Sequence, residues 1–513
     1  MPDRRVIIRA LFLLLLPLCL SLRPGSAISQ ASREPGAGPG QWNLLLITVD
    51  TLRPDHLSCY GHEGIRTPTI DALAREGVLF SDAVTSIPIT LPSHASILTG
   101  LYPPTHGIRF NGAYALDDSI STLAEVLGNQ GYTSGAIVGS YALDSEFGLD
   151  QGFMTYNDSY PMGNILKYKY PELWPTLSRL LLAQVLAKLL PLDILFSEPQ
   201  RRAEEVTDAA LEWLGRHGRQ RFFLWLHYFD PHTPYDPPPD PDQGPPRTSI
   251  PDRSLVTVAP PYRYWWGELG RIEDVYSRYD GEIEYTDRWL EQVIAQIDRL
   301  GVKERTLIVF TADHGECLWE HGQSGHGYSV YDAELKVPLI MSLPGMLPGG
   351  VRINSPVELI DLFPTILDLL QIPVPGSIQG KSLLDLIRGK GIDHQVAGNR
   401  AKIPPAIGGE AHEVHRPAYS ETLWPPAPGD RLKGLRTPEW KFIMSLAGEN
   451  RLLYHLPSDP HELRDVSGEN PELVKAFEGG LSEISRRIGD EGGLLPEMEE
   501  EVEARLKALG YVR

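Results

Sequence analysis

Four short segments hold residues whose types and spacing could do chemistry. The first, Val49-Asp50-Thr51-Leu52-Arg53-Pro54-Asp55, sets a carboxylate directly after an apolar run. Asp50 there serves either as a metal ligand or as the cap of the next helix; Asp55 is read as such a cap. The second is Thr90-Leu91-Pro92-Ser93-His94-Ala95-Ser96-Ile97-Leu98-Thr99-Gly100. Thr90 stands where a helix should begin, and a helix N-terminus stabilises anions through its free N–H groups and dipole. A hydroxyl at that place is either a plain cap or a nucleophile that a bound metal ionises for attack on phosphorus or sulfur. In the third, Leu307-Ile308-Val309-Phe310 leads into Thr311-Ala312-Asp313-His314-Gly315-Glu316. Adjacent Asp and His at a strand end can offer one oxygen and one nitrogen to the same cation. Taken alone, the pair fits equally a capping Asp beside a solvated His. His326 follows, between Gly325 and Gly327, which let the backbone approach a ligand closely. The fourth, Leu226-His227-Tyr228-Phe229-Asp230-Pro231-His232-Thr233-Pro234-Tyr235, places Asp230 and His232 after another apolar run. It also fits a Pro-stiffened turn with a capping Asp.

These residues need a frame that brings strand ends together. The run from Trp42 to Val49 predicts a buried parallel strand, and Phe222–His227 and Thr306–Thr311 repeat the pattern. Helical periodicity over Thr67–Glu76, Ser121–Gln130, Ala203–Gly215 and Ile283–Leu300 alternates with them. Such alternation predicts an α/β fold with a mainly parallel central sheet flanked by helices. Ligands then bind beyond the carboxyl ends of the strands, where all four segments fall. Leu180–Leu190 is read as a packed core helix. Past about residue 385 the texture changes. Strands over Leu432–Ser445 and Arg451–Leu456, then helices over Pro471–Arg487 and Glu497–Leu509, predict a smaller α+β subdomain with a helical tail. The expected divisions are 1–27 leader, 28–41 Gly/Pro/Ser-rich linker, 42–385 catalytic domain and 386–513 C-terminal subdomain.

A chain of 513 residues with 42% hydrophobic and 22% charged residues can bury a large core. Its formal net charge of −20 repels phosphate backbones and argues against nucleic-acid binding. Arg4, Arg5 and Arg9 precede an apolar run from Ala10 to Leu22, and Gly25-Ser26-Ala27 offers small residues for cleavage. That layout predicts a signal peptide and export to a periplasm or the exterior, with a retained N-terminal anchor as the alternative and no multi-span membrane domain. Beyond the leader only Cys59 and Cys317 remain, which make neither a disulfide framework nor a thiolate metal site.

Taken in order, VDTLRPD, TLPSHASILTG, HYFDPHTPY, TADHGE and YDAELKVPLI resemble the sulfatase family of the alkaline-phosphatase superfamily. LYHLPSDPHELRDV and LKALGYV resemble the tails of that family. The departures carry information too. Sulfatases place Cys or Ser, later converted to formylglycine, where Thr90 stands, and Arg where His94 stands. Thr51 replaces a second carboxylate, His314 the usual Asn, and His326 a Lys. No formylglycine is expected from Thr90. Each change resembles nucleotide pyrophosphatase/phosphodiesterases and phosphoethanolamine transferases.

The resemblance implies one metal held by Asp50, Asp313, His314 and the Thr90 oxygen. It implies a second held by Asp230, His232 and His326, with a single metal as the alternative. Histidine ligands favour Zn²⁺ or Mn²⁺. Thr90 would be the nucleophile of a covalent intermediate, His94 and Asn111 substrate contacts, and Glu316 an orienting group behind a ligand. The favoured expectation is phosphoester cleavage, a diester over a monoester, in a small-molecule, glycan or lipid substrate. Sulfate-ester hydrolysis without formylglycine, phospho-group transfer and an inactive binding protein are the alternatives. Specificity is assigned to residues 155–205 and 235–270.

Overall fold

The computed structural model describes residues 42–112, 114–160, 200–238, 272–389, 416–423, 431–447 and 450–490. The leader, the linker, Leu180–Leu190 and Glu497–Leu509 lie outside the described residues, as do most of both specificity segments. Among the described residues no helix is long and apolar enough to cross a membrane.

The apolar runs form the strands they predict. Asn43–Val49 is β1, and its seven residues are all buried, as a strand covered on both faces requires. With Val78–Val84 as β2, Thr133–Val138 as β3 and Thr155–Asn157 as β4, the runs Phe222–Tyr228 and Thr306–Ala312 become β5 and β6. Cys317–Leu318 (β7) and Ser324–Gly325 (β8) make a separate two-stranded pair. Lys336–Ser342 is β9, and Val351–Ile353 and Val357–Glu358 are β10 and β11. The large sheet runs β10-β2-β9-β6-β1-β5-β3-β4, with β11 also on β2. Every pairing is parallel except those of β9, which lies antiparallel between β6 and β2.

The helices of seven residues or more follow the predicted alternation. They are α1 (Pro68–Glu76), α2 (Thr90–Thr99), α3 (Leu123–Asn129), α4 (Ala203–His217), α5 (Ile272–Arg299), α6 (Leu362–Leu369) and α7 (Pro471–Arg487). α5 begins well before the expected Ile283, because its amphipathic pattern continues through Tyr276 and Tyr279, both buried. Beyond the large sheet, Ala418–Thr422 (β12), Leu432–Arg436 (β13), Trp440–Ser445 (β14) and Arg451–His455 (β15) form an antiparallel sheet in that order. The expected strand over Leu432–Ser445 is thus two strands. Phe477 of α7 stacks on Phe442 of β14 at 5.7 Å between ring centroids.

Candidate active site

Because β5, β1 and β6 are neighbours, the residues that follow them converge. Val49 pairs with Ala312 on one side and Tyr228 on the other, so Asp50 and Asp313 leave the sheet together. The Asp50 N–H still donates to the Tyr228 carbonyl at 2.9 Å, which fixes where its side chain starts. Both carboxylates are fully buried. Asp313 Oδ1 accepts the N–H groups of His314 (2.8 Å) and Thr51 (3.2 Å). Asp313 Oδ2 and both Asp50 oxygens accept no hydrogen bond.

Thr51 adopts a left-handed backbone (φ 55), uncommon for a residue branched at Cβ. The Tyr279 hydroxyl of α5 pins it, donating to the Thr51 carbonyl at 2.6 Å, while the Arg53 N–H donates to the same hydroxyl at 3.0 Å. The Arg53 guanidinium bonds Asp55 and Glu320. Asp55 is therefore an ion-pair partner and not the expected helix cap.

Thr90 is the first residue of α2, after an extended Ile89. Pro92 suits the first turn because its fixed φ is helical. Gly100 ends the helix in the left-handed region (φ 68). All ten residues of α2 are buried. Ser93 Oγ donates to the Asp313 carbonyl at 2.7 Å and so fastens the helix to the end of β6.

His314 completes the group. Its Nδ1–H donates to the Gly315 carbonyl at 2.9 Å, which leaves the Nε2 lone pair facing inward. Nε2 lies 3.5 Å from Thr90 Oγ1, 3.5 Å from Asp313 Oδ2 and 3.8 Å from Asp50 Oδ1. Ligand atoms at the corners of a tetrahedral zinc site stand roughly 3.3 Å apart, given metal–ligand bonds of about 2.0–2.1 Å. Asp50, Asp313 and His314 thus offer oxygen, oxygen and nitrogen at nearly the spacing a cation needs, with a hydroxyl as the fourth corner. Burial pushes the Asp313 carboxyl well up, helped by the charge of Asp50, and Asp50 is raised by burial as well. Burial also holds His314 well below its ordinary value, so the ring is neutral. Uncompensated carboxylates beside a neutral imidazole are the electrostatics of a cation site.

The remaining expected residues divide. The His326 ring lies 4.4 Å from that of His314 and 5.1 Å from that of His232. Glu316 Oε1 stands 3.5 Å from His326 Nδ1, and burial pushes Glu316 up to about 8. His232 Nδ1–H donates to the Thr233 carbonyl at 2.8 Å, which leaves its Nε2 lone pair open. Asp230 does not join them. Its Oδ2 accepts the Ala203 N–H at 2.7 Å and its Oδ1 pairs with Arg202 Nε at 3.1 Å, so the carboxylate caps α4.

His94 is also corrected, from substrate contact to positioning residue. Trp225 Nε1–H donates to Thr48 Oγ1 (3.0 Å), the Thr48 hydroxyl meets His94 Nε2 (2.9 Å), and His94 Nδ1–H donates to the Thr90 carbonyl (2.8 Å). Both ring nitrogens are used inside the protein, and burial, with His227 beside it, keeps the ring neutral. Asn111 acts through the same helix: its Oδ1 accepts the Leu91 N–H at 2.8 Å. His227, which the sequence places within the strand pattern with at most a weak claim on substrate, points its Nε2 at Asp50 Oδ2 from 3.6 Å. Gly139 N–H donates to its Nδ1 at 3.3 Å, which sets the tautomer. Nothing in the local sequence marks that role; only the strand order does.

The family model described as Sulfatase matches residues 42–372. Arylsulfatase K of Bos taurus is 27% identical over 500 residues, covering 87% of this chain and 82% of its own length. Iduronate 2-sulfatase of Mus musculus is 28% identical, covering 65% of this chain and 69% of its own. Among solved structures, the phosphonate monoester hydrolase of Agrobacterium radiobacter superposes with a TM-score of 0.64 at 21% identity, covering 87% of this chain and 96% of that one.

Proposed function

The chain belongs to the sulfatase family, and from that premise we propose that it hydrolyses a sulfate ester with the Thr90 hydroxyl as nucleophile. It is a hydrolase acting on ester bonds. The names of its relatives favour sulfur over the phosphodiester expected from the motifs. The observation that carries the assignment of Thr90 is its Oγ1 at 3.5 Å from His314 Nε2, at the open corner of Asp50, Asp313 and His314.

The donor set fits a divalent ion, Zn²⁺ or Mn²⁺ by its histidine. Such an ion would supply Lewis-acid activation of the hydroxyl and neutralise charge on the transferred group. The residues of the chain do the rest. Thr90 Oγ attacks sulfur, its proton passes to a neighbouring histidine, its bond to sulfur forms, and the bond from sulfur to the ester oxygen breaks. His326, whose ring lies next to that of His314, and His232 beside His326 give that proton to the leaving oxygen and then take one from the water that releases sulfate from Thr90. The positive end of the α2 dipole, at Thr90, favours negative charge on the transferred group.

Phosphoester hydrolysis is the second reading, favoured by the Asp313-His314 pair beside a hydroxyl nucleophile. The test is activity on aryl sulfate, aryl phosphodiester and aryl phosphate, with Zn²⁺, Mn²⁺, Mg²⁺ and Ca²⁺ added singly, for the wild type and Thr90→Ala. Aryl sulfate turnover lost in Thr90→Ala supports the main reading. Turnover of phosphodiester alone selects the second. No turnover and no metal uptake selects a binding protein.

A further inference from the structure

A second His/carboxylate cluster lies elsewhere and shares no residue with the strand-end group. His56 and His62 come from the loop after β1, and Asp280 from α5. His56 Nδ1 stands 2.7 Å from Asp280 Oδ1, and His62 Nε2 stands 3.1 Å from Asp280 Oδ2. All three side chains are buried, and their ligand atoms lie within 4.8 Å of one another. The two imidazoles are 5.1 Å apart. Tyr276 stacks on His56 at 5.4 Å, and Tyr279 meets it edge-on at 4.9 Å.

We propose that His56, His62 and Asp280 form a structural site for a divalent transition metal of the Zn²⁺ class, stitching the loop after β1 to α5. Two imidazole nitrogens and one carboxylate oxygen suit zinc and its neighbours and suit Ca²⁺ or Mg²⁺ poorly. His56 Nδ1 and His62 Nε2 stand 2.7 and 3.1 Å from the two separate oxygens of Asp280, so the carboxylate would turn to offer an ion one oxygen or both. The surrounding charge is mixed: Glu284 feels Asp280 as a like charge and Asp55 acts on both histidines as a nearby anion, while Arg53, paired with Asp55, acts on His62 as a nearby cation. The fourth corner is left to a water or to one more oxygen. The site also has a reason to exist. Tyr279, adjacent to Asp280, grips Thr51 and Arg53, so fixing α5 against this loop steadies the turn that carries Asp50.

The test uses the full chain with the strand-end group disabled by Asp50→Asn and His314→Gln, stripped with a chelator, reloaded with Zn²⁺ and dialysed. One zinc per chain is expected, falling to none when His62→Gln is added. A disabled background that binds no zinc, or a His62→Gln chain that keeps it, overturns the proposal. Co²⁺ loading of the background gives a readout independent of the His62 variant. Visible d–d bands of a tetrahedral nitrogen/oxygen site are expected, and their absence also overturns it.

Discussion

Two buried charge clusters in this molecule are built from similar residues and are opposite in character. At the strand ends, Asp50 and Asp313 have histidine neighbours, of which burial keeps His94, His227 and His314 below their ordinary value, and no Lys or Arg ion pair among the described residues. Where the C-terminal sheet meets the large one, Asp332 receives Arg436 at 3.0 Å and Lys441 at 2.8 Å, and Lys441 reaches Glu462 at 3.4 Å. Arg436 also bonds Asp82 at 2.7 Å. The pKa directions diverge accordingly. Burial raises Asp50 and Asp313, whereas at Asp332 the burial effect is outweighed by Arg436 and Lys441, and the carboxyl is pushed far down. A compensated cluster holds a fold together. An uncompensated one is kept for something that arrives.

The comparison would break first at Thr90. Thr90→Ala is expected to lower kcat/KM on the order of 10⁴-fold or more, the scale of a lost nucleophile, while the melting temperature stays near that of the wild type. Lys441→Met should do the reverse. It leaves Glu462 without its cation in the interior, and Asp332 with Arg436 alone, and costs about 3–5 kcal/mol in urea unfolding, with KM unchanged in the folded fraction. Asp313→Asn separates charge from function more finely. Metal affinity, read by titration, should fall by more than the roughly 10–100-fold that losing a mere supporting residue costs. The metal-free variant should be no less stable than the metal-free wild type, because an unpaired buried charge has gone.

The two clusters should also answer pH with opposite signs. Asp50 and Asp313 have raised folded-state values, so the metal-free fold binds more protons than the unfolded chain. Their contribution is fully present below the unfolded value of 3.8 and is lost as pH rises through the folded ones. Asp332 has a lowered value, so its contribution is present above 3.8 and is lost as pH falls. Melting of chelated wild type between about pH 4 and 7, set against the Asp50→Asn/Asp313→Asn chain, isolates the first effect. The smallest expected change is Asn111→Ala. It leaves the Leu91 N–H unsatisfied and costs about 1–3 kcal/mol, with kcat falling more than KM changes as Thr90 loosens.

The strands that position the site were legible because they are continuous apolar runs ending in Asp, and Pro471–Arg487 was legible by its helical period. What stayed hidden depends on partners distant in sequence. Asp230 follows a strand just as Asp50 and Asp313 do. Only the approach of Arg202 and the Ala203 N–H shows that its carboxylate is already used. His94 stands where the family resemblance expects an Arg, and that its ring is held between the Thr90 carbonyl and Thr48 shows only once the helix is set against β1. His56 and His62 resemble ordinary loop residues until α5 brings Asp280 between them. Residue types announced the open cluster, while closure of a cluster could be seen only in three dimensions.

The most direct test is to stop turnover of an aryl sulfate with acid and determine the mass of the proteolytic peptide that contains Thr90, with aryl phosphodiester run in parallel. A sulfo group on Thr90, absent in Thr90→Ala and dependent on added metal, is the predicted result; a phospho group would keep the nucleophile and change the substrate class. An unmodified Thr90 in a chain that turns over at full rate as Thr90→Ala would contradict the account.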